Sequence, residues 1–141
     1  MYTKINEKDS IMKLGAIYSK EKTTFTLFSP VADSVFVIFY DKGNDSTETG
    51  RLEMMRGEGE LRSIFSATAE GNLDGVYYTY EVHTSDGTFS SHDPYARACG
   101  VNGHRSMVID LSKTDPDGFA DEDRPKLADP MGMVITEVSV A

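Results

Sequence analysis

A single cysteine, Cys99, among 141 residues excludes an internal disulfide framework. The fold must rest on its core. At this length one domain buries roughly two-thirds of its unfolded surface, which suffices without covalent staples. Cys99 is expected to be a buried, inert thiol, because only His92 and His104 stand near it in sequence to activate it. Basic residues are few: 14 Lys and Arg oppose 23 Asp and Glu, for a net charge of -9. That balance argues against a nucleic-acid partner, which calls for a basic face. It leaves a neutral glycan open as a ligand. No stretch is long and apolar enough to span a membrane. Residues 1–13 are polar and charged and do not read as a signal peptide, so a cytoplasmic location is expected, with a secreted parent left open. Tryptophan is absent altogether.

A sustained helical stripe is missing too, and period-two alternation takes its place. Thr24–Phe28 alternates, and Ser34–Tyr40 is a nearly continuous β-branched and aromatic run that suits a central strand buried on both faces. Leu61 to Ala67 and Val76 to Thr84 predict further strands, and Thr88 to Ser91 a short partner to the last. Turn chemistry separates them: Ser29-Pro30, the loop from Asp41 to Asn44, Gly57-Glu58-Gly59, the run from Asn72 to Gly75, and Ser85-Asp86-Gly87, which predicts a hairpin. Short strands at such spacing predict an all-β chain, folded as an antiparallel immunoglobulin-like β-sandwich.

Between 115 and 130 the composition shifts. Six acidic residues and Pro116, Pro125 and Pro130 crowd together, and like charge with missing backbone donors disfavours sheet. The division expected is an extension over 1–13, the sandwich over 14–112, an acidic linker over 113–130, and a stray strand over 131–141.

Chemistry-bearing clusters are sparse. Asp41, Asn44, Asp45 and Glu48 share a loop, and Asp115-Pro116-Asp117-Gly118 faintly resembles a calcium loop, but neither has alternating ligands ending in a bidentate Glu. His83, His92, His104 and Cys99 lack zinc spacing. No metal and no cofactor are expected.

One stretch is more specific. Asp93-Pro94-Tyr95-Ala96-Arg97-Ala98, Gly100, Asn102-Gly103 and Met107-Val108-Ile109-Asp110-Leu111 resemble the exit of the β-sandwich that precedes the catalytic barrel in type I pullulanases, which cut α-1,6 branches in starch-like glucans. The resemblance continues in order. Leu14-Gly15-Ala16 and Thr23 to Pro30 look like the family's opening strand, with Phe28 where Trp is usual. Met55 to Glu58 and Leu61 to Ser63 look like a hairpin, with Leu61 where Trp is common. Asp74 to Tyr80 matches the aromatic strand, and Asp129 to Val140 looks like the start of the first barrel strand. The module itself is similar to family-48 carbohydrate-binding modules.

This resemblance implies a non-catalytic module that packs on the barrel of a debranching enzyme. No catalytic residue is expected in the chain, because family members carry theirs on later barrel strands. Binding members place two Trp, a Lys and an Asn on one face. Here Phe89 stands close to one Trp position, with Tyr78 or Tyr80 beside it, and Thr79 or Tyr80 falls near the Lys. These are the candidate α-glucan contacts. The competing expectation is that they fill the core, as strand aromatics usually do. Asp93, Tyr95, Arg97, Asn102 and Arg105 are candidate contacts for docking on the barrel, offering an aromatic anchor and two guanidinium forks. Alternatives from other classes are an autonomous α-glucan-binding module and a structural or protein-interaction sandwich. The apolar run Met133 to Val140 is a possible self-association strand.

Overall fold

The computed structural model describes residues 13–123, 129, 131 and 133–139. The expected extension, apart from residue 13, lies outside them, as do residues 124–128, Pro130, Gly132, Val140 and Ala141 of the expected linker and terminal strand. Nine strands form among the described residues: β1 (Gly15–Tyr18), β2 (Lys22–Phe28), β3 (Ser34–Tyr40), β4 (Gly50–Arg56), β5 (Ile64–Glu70), β6 (Tyr77–Thr84), β7 (Gly87–Ser91), β8 (Ala98–Cys99) and β9 (Ser106–Met107). All their pairings are antiparallel, in the order β1-β2-β5-β4-β3-β6-β9-β8, with β7 also on β6. No α-helix occurs among the described residues.

Strand β4 joins the two layers. Gly50 to Met54 pair with β3, whereas Met55 and Arg56 pair with β5. The sheet therefore curls, and its inner faces close on each other as the expected β-sandwich. Alternation selects the core. Phe25 and Leu27 of β2, Phe65 of β5, Val35 and Val37 of β3, Met54 of β4 and Tyr78 and Tyr80 of β6 turn inward, joined by Val108. Phe25 packs edge-to-face on Tyr78 and Phe39, with ring centroids 5.0 and 5.7 Å apart. Each large apolar side chain so buried stabilises by about 1.5–3 kcal/mol. The central strand β3 is covered on its outer side too, where Ile38 is buried.

Several boundaries differ from expectation. Leu61 sits in a one-turn 3-10 segment, Gly59–Leu61, half exposed, so the strand starts at Ile64. Of the apolar run Met107 to Leu111, only Met107 lies in a strand, β9 (Ser106–Met107). Val108 still exchanges backbone bonds with the segment before β6, donating to Val76 O (2.9 Å) and accepting from Gly75 N (2.9 Å). The Asp110 N–H is then taken by the Asp74 carboxylate at 2.8 Å, which ends the ladder, and a 3-10 turn follows at Leu111–Lys113. Cys99 is exposed on β8 rather than buried: at the edge of the sheet no second layer covers it.

The chain through Leu111 forms one compact unit, and the residues from Ser112 form another. In the second, a 3-10 turn spans Phe119–Asp121, where Phe119 N donates to Pro116 O (3.1 Å) and Asp121 N to Gly118 O (3.0 Å). Residues 133–139 carry no regular structure, and Val134, Ile135 and Val138 are 90, 82 and 74 % exposed. The expected strand is not formed there, because a strand needs a neighbour to satisfy its backbone and none is paired with it among the described residues.

Candidate functional site

Tyr78 and Tyr80 are two residues apart on β6 and therefore share a face, the inner one. Their hydroxyls meet at one carboxylate. Tyr78 donates to Asp93 Oδ2 at 2.7 Å and Tyr80 to the same oxygen at 3.2 Å. The other oxygen, Oδ1, accepts the Tyr95 N–H at 2.8 Å, an Asx turn that sets the course of Pro94-Tyr95. The Asp93 N–H donates to Ser106 Oγ of β9 at 2.8 Å. Burial, reinforced by the adjacent Asp93 carboxylate, pushes both phenols far above their ordinary range, so they remain neutral donors.

This geometry separates two alternatives for the tyrosines and corrects one expectation for Asp93. Tyr78 and Tyr80 are fully buried and present no ring to a sugar; of the two roles weighed for them, they fill the core one. Asp93, 2 % exposed, is an internal organiser and not a surface contact. Tyr95 is half exposed and Arg97 exposed, and both remain on the surface of the loop. Tyr95 crosses close to β1: a Cβ on Gly15, which has φ +89°, would lie 2.9 Å from Tyr95 Cβ.

Arg105 is also committed internally. Nη1 donates to Lys42 O (2.7 Å) and Ser46 Oγ (2.8 Å), Nη2 to Ser46 O (2.8 Å), and the guanidinium carbon lies 3.6 Å from the Tyr40 ring centroid. It clasps the β3–β4 loop to the β8–β9 loop. The same two loops touch backbone to backbone, since a Cβ on Gly100 would come within 2.6 Å of Gly43 Cα. Asn102, exposed, takes the left-handed conformation (φ 54°) at the tip. It lines a cleft of about 330 Å³ with His92, Asp93 and Cys99, and another of about 390 Å³ with Asp45 and Arg105. Asp45 is hydrogen-bonded by Asn44 Nδ2 at 3.0 Å. Glu48 is held by Arg51 through two 2.8 Å bonds, and this hydrogen bonding keeps its carboxyl below the usual range.

Phe89 is the remaining glucan candidate. It is 54 % exposed on β7, across from Val82 of β6. Thr79, near the position of the family's Lys, is buried beneath Tyr40, whose hydroxyl lies 3.3 Å from its own.

A polar-aromatic surface on the outer side of β3, β4 and β6 was not singled out from the sequence. Arg51 meets Glu81 at 3.4 Å, Glu81 meets His83 at 3.0 Å, and His83 packs edge-on against Phe36 with centroids 5.4 Å apart. Alternation along Phe36, Ile38 and Tyr40 was the available signal.

Residues 13–96 match the family model described as carbohydrate-binding module 48 (isoamylase N-terminal domain). The chain belongs to this family. Pullulanase A of Streptococcus pneumoniae serotype 4 is 31 % identical over 116 residues, covering 77 % of the chain and 9 % of that protein. The pullulanase of Bacillus subtilis is 30 % identical over 98 residues, covering 69 and 13 %. Among solved structures, a Paenibacillus barengoltzii pullulanase in complex with maltohexaose and α-cyclodextrin superposes with TM-score 0.76 at 34 % identity, over 84 % of this chain and 18 % of that one. Pullulanase from Bacillus acidopullulyticus gives TM-score 0.74 at 35 % identity, over 84 and 14 %. The chain thus spans about a tenth of the length of the curated relatives it matches. Its family-48 match ends at Ala96, just beyond the Asp93 turn.

Proposed function

We propose that this chain is the non-catalytic module of a pullulanase-type enzyme acting on α-1,6 branches of α-glucans, that it packs on the catalytic barrel, and that it adds little glucan affinity by itself. Similarity to pullulanases supports the parent, and one observation carries the weak-binding part: of the three aromatic candidates, two are turned inward onto Asp93. A single half-exposed Phe89 makes a poor platform, because stacking rings hold a sugar best in pairs with hydrogen-bonding groups beside them.

Glycoside hydrolysis requires two carboxyl groups flanking one bond. Asp93, the carboxylate of the site, is buried and saturated by its tyrosines. Purified chain is expected to release no reducing sugar from pullulan, starch or glycogen. Docking is assigned to Tyr95 and Arg97, the members of the candidate set that stay exposed without a competing internal role, with Asn102 at the neighbouring tip.

Calorimetry with a linear or cyclic malto-oligosaccharide tests this reading. The expected Kd is millimolar or weaker, about -4 kcal/mol or less in magnitude. Micromolar binding abolished by Phe89→Ala would make the chain an autonomous binder, and turnover that follows the protein through purification would make it an enzyme.

A further inference from the structure

Strand β7 is an open edge. Among the described residues it pairs only with β6, and all five of its residues are exposed. Which backbone groups point away follows from the ladder of β6. Val76 O accepts from Val108 on the β9 side, and His83 O accepts from Asp33 on the β3 side. Even-numbered residues of this stretch therefore turn their backbone toward β7 and β9, and odd-numbered residues toward β3. In β7 the partners of the even residues are Gly87, Phe89 and Ser91. Thr88 and Ser90 consequently direct their N–H and C=O groups outward. Neither has a backbone partner among the described residues.

Proteins guard such edges with Lys, Pro, bulges or inward charges. The sequence Gly87-Thr88-Phe89-Ser90-Ser91 has none of these, and it exposes a phenylalanine at its centre.

We propose that β7 pairs antiparallel with β7 of a second copy of this chain, about a two-fold axis at Phe89. That register places Thr88 opposite Ser90 of the second copy and the reverse, so all four outward donors and four outward acceptors of the pair meet as two exchanged hydrogen-bonded pairs. Phe89 faces its own equivalent at a non-hydrogen-bonded position, where side chains approach closest. Gly87 opposes Ser91, and the exposed Asp86 opposes the exposed His92 of the second copy. A register shifted toward either end loses pairs from the five-residue strand and separates the two phenylalanines. This self-complementarity favours a second copy over an unrelated peptide. The net charge of -9 per copy opposes association, so added salt strengthens it.

Sedimentation equilibrium of the full chain tests the pairing. A concentration-dependent dimer is expected, tightened by salt. Ser90→Pro removes an outward N–H without touching the β6 ladder, and Thr88→Lys installs an edge charge. Each is expected to weaken dimerisation by at least about tenfold, which corresponds to about 1.4 kcal/mol, with the circular-dichroism spectrum unchanged. In a Cys99→Ser background, Phe89→Cys is expected to oxidise to a covalent dimer, since the paired Cα atoms fall in disulfide range, whereas Thr88→Cys is not. A chain that stays monomeric to the millimolar range overturns the proposal. So does a dimer indifferent to both edge substitutions, or one abolished instead by Ile135→Asp. A monomer whose Phe89 amide responds only to malto-oligosaccharide assigns the edge to glucan and overturns it as well.

Discussion

Asp93 ties strand β6 to the loop that follows β7, because one carboxylate satisfies two buried phenols and a turn. Removing it strands two hydroxyls in the core at about 1–3 kcal/mol each. Asp93→Ala is therefore expected to cost roughly 3 kcal/mol or more in urea unfolding, while Asp93→Asn keeps acceptors and costs less. The tyrosines set a pH limit. Their folded pKa values are raised by burial and by Asp93, so the folded state holds its protons longer than the unfolded chain. That contribution is fully present below the unfolded tyrosine pKa of about 10 and is lost as pH rises beyond it. Two such groups steepen the loss to roughly 3 kcal/mol per pH unit. Unfolding curves at stepped alkaline pH check it: the phenolate absorbance of Tyr78 and Tyr80, taken as the difference from a Tyr78→Phe, Tyr80→Phe variant, is expected to appear together with unfolding and not before. The importance of Asp93-Pro94-Tyr95 was legible in the sequence, but its direction was not. Period two says that Tyr78 and Tyr80 share a face without saying which. The alternation of Tyr77, Thr79, Glu81 and His83 with them was the clue that the polar row takes the outside and the tyrosines the core.

At the scale of elements, the legible strands were those rich in β-branched and aromatic residues. Ser34–Tyr40 was read residue for residue, and Val76 to Thr84 within one residue of its start. Of strand β4, Gly-Arg-Leu-Glu-Met-Met-Arg, only the end, Met55-Arg56, was read, as one arm of a hairpin; Gly50 to Met54 was missed because Arg, Glu and Met carry no strand preference, and burial of Met54 and pairing on both sides make it a strand. The β3–β4 loop was read as a turn and Asn102-Gly103 only as part of the family stretch, although the β3–β4 and β8–β9 loops form one assembly. Their joint depends on Gly43 and Gly100, and Gly100 is chosen for space, not for backbone freedom, since its φ is an ordinary -79°. Gly100→Ala drives a methyl group into the backbone of Gly43 and is expected to cost about 1–3 kcal/mol. Arg105→Lys keeps charge but loses the fork and the stack on Tyr40, and is expected to cost about 1–2 kcal/mol. Differential scanning calorimetry of both variants measures the joint from its two sides. If Arg105→Lys unfolds with wild-type midpoint, the clasp contributes nothing to stability.

Over the whole molecule, the sandwich through Leu111 contains the core, and the residues from Ser112 add no buried side chain among those described. In the acidic, proline-containing stretch 115–130, repelling charges and missing donors leave little to pack. The apolar run that follows forms no strand among the described residues. Val134, Ile135 and Val138 have the chemistry of a strand, but chemistry alone makes no strand without a neighbour for its backbone. Their exposure of 90, 82 and 74 % leads to a prediction with two halves. Since no contact in the core is lost, the double variant Ile135→Asp, Val138→Asp is expected to unfold within about 0.5 kcal/mol of the original chain. Since exposed aliphatic residues are removed and two negative charges are added to a chain already at -9, its solubility is expected to rise. Thermal unfolding and ammonium sulfate precipitation measure the two halves separately. A clear loss of stability would place these side chains in a packed interface, and a fall in solubility would remove their exposure as the cause of any aggregation.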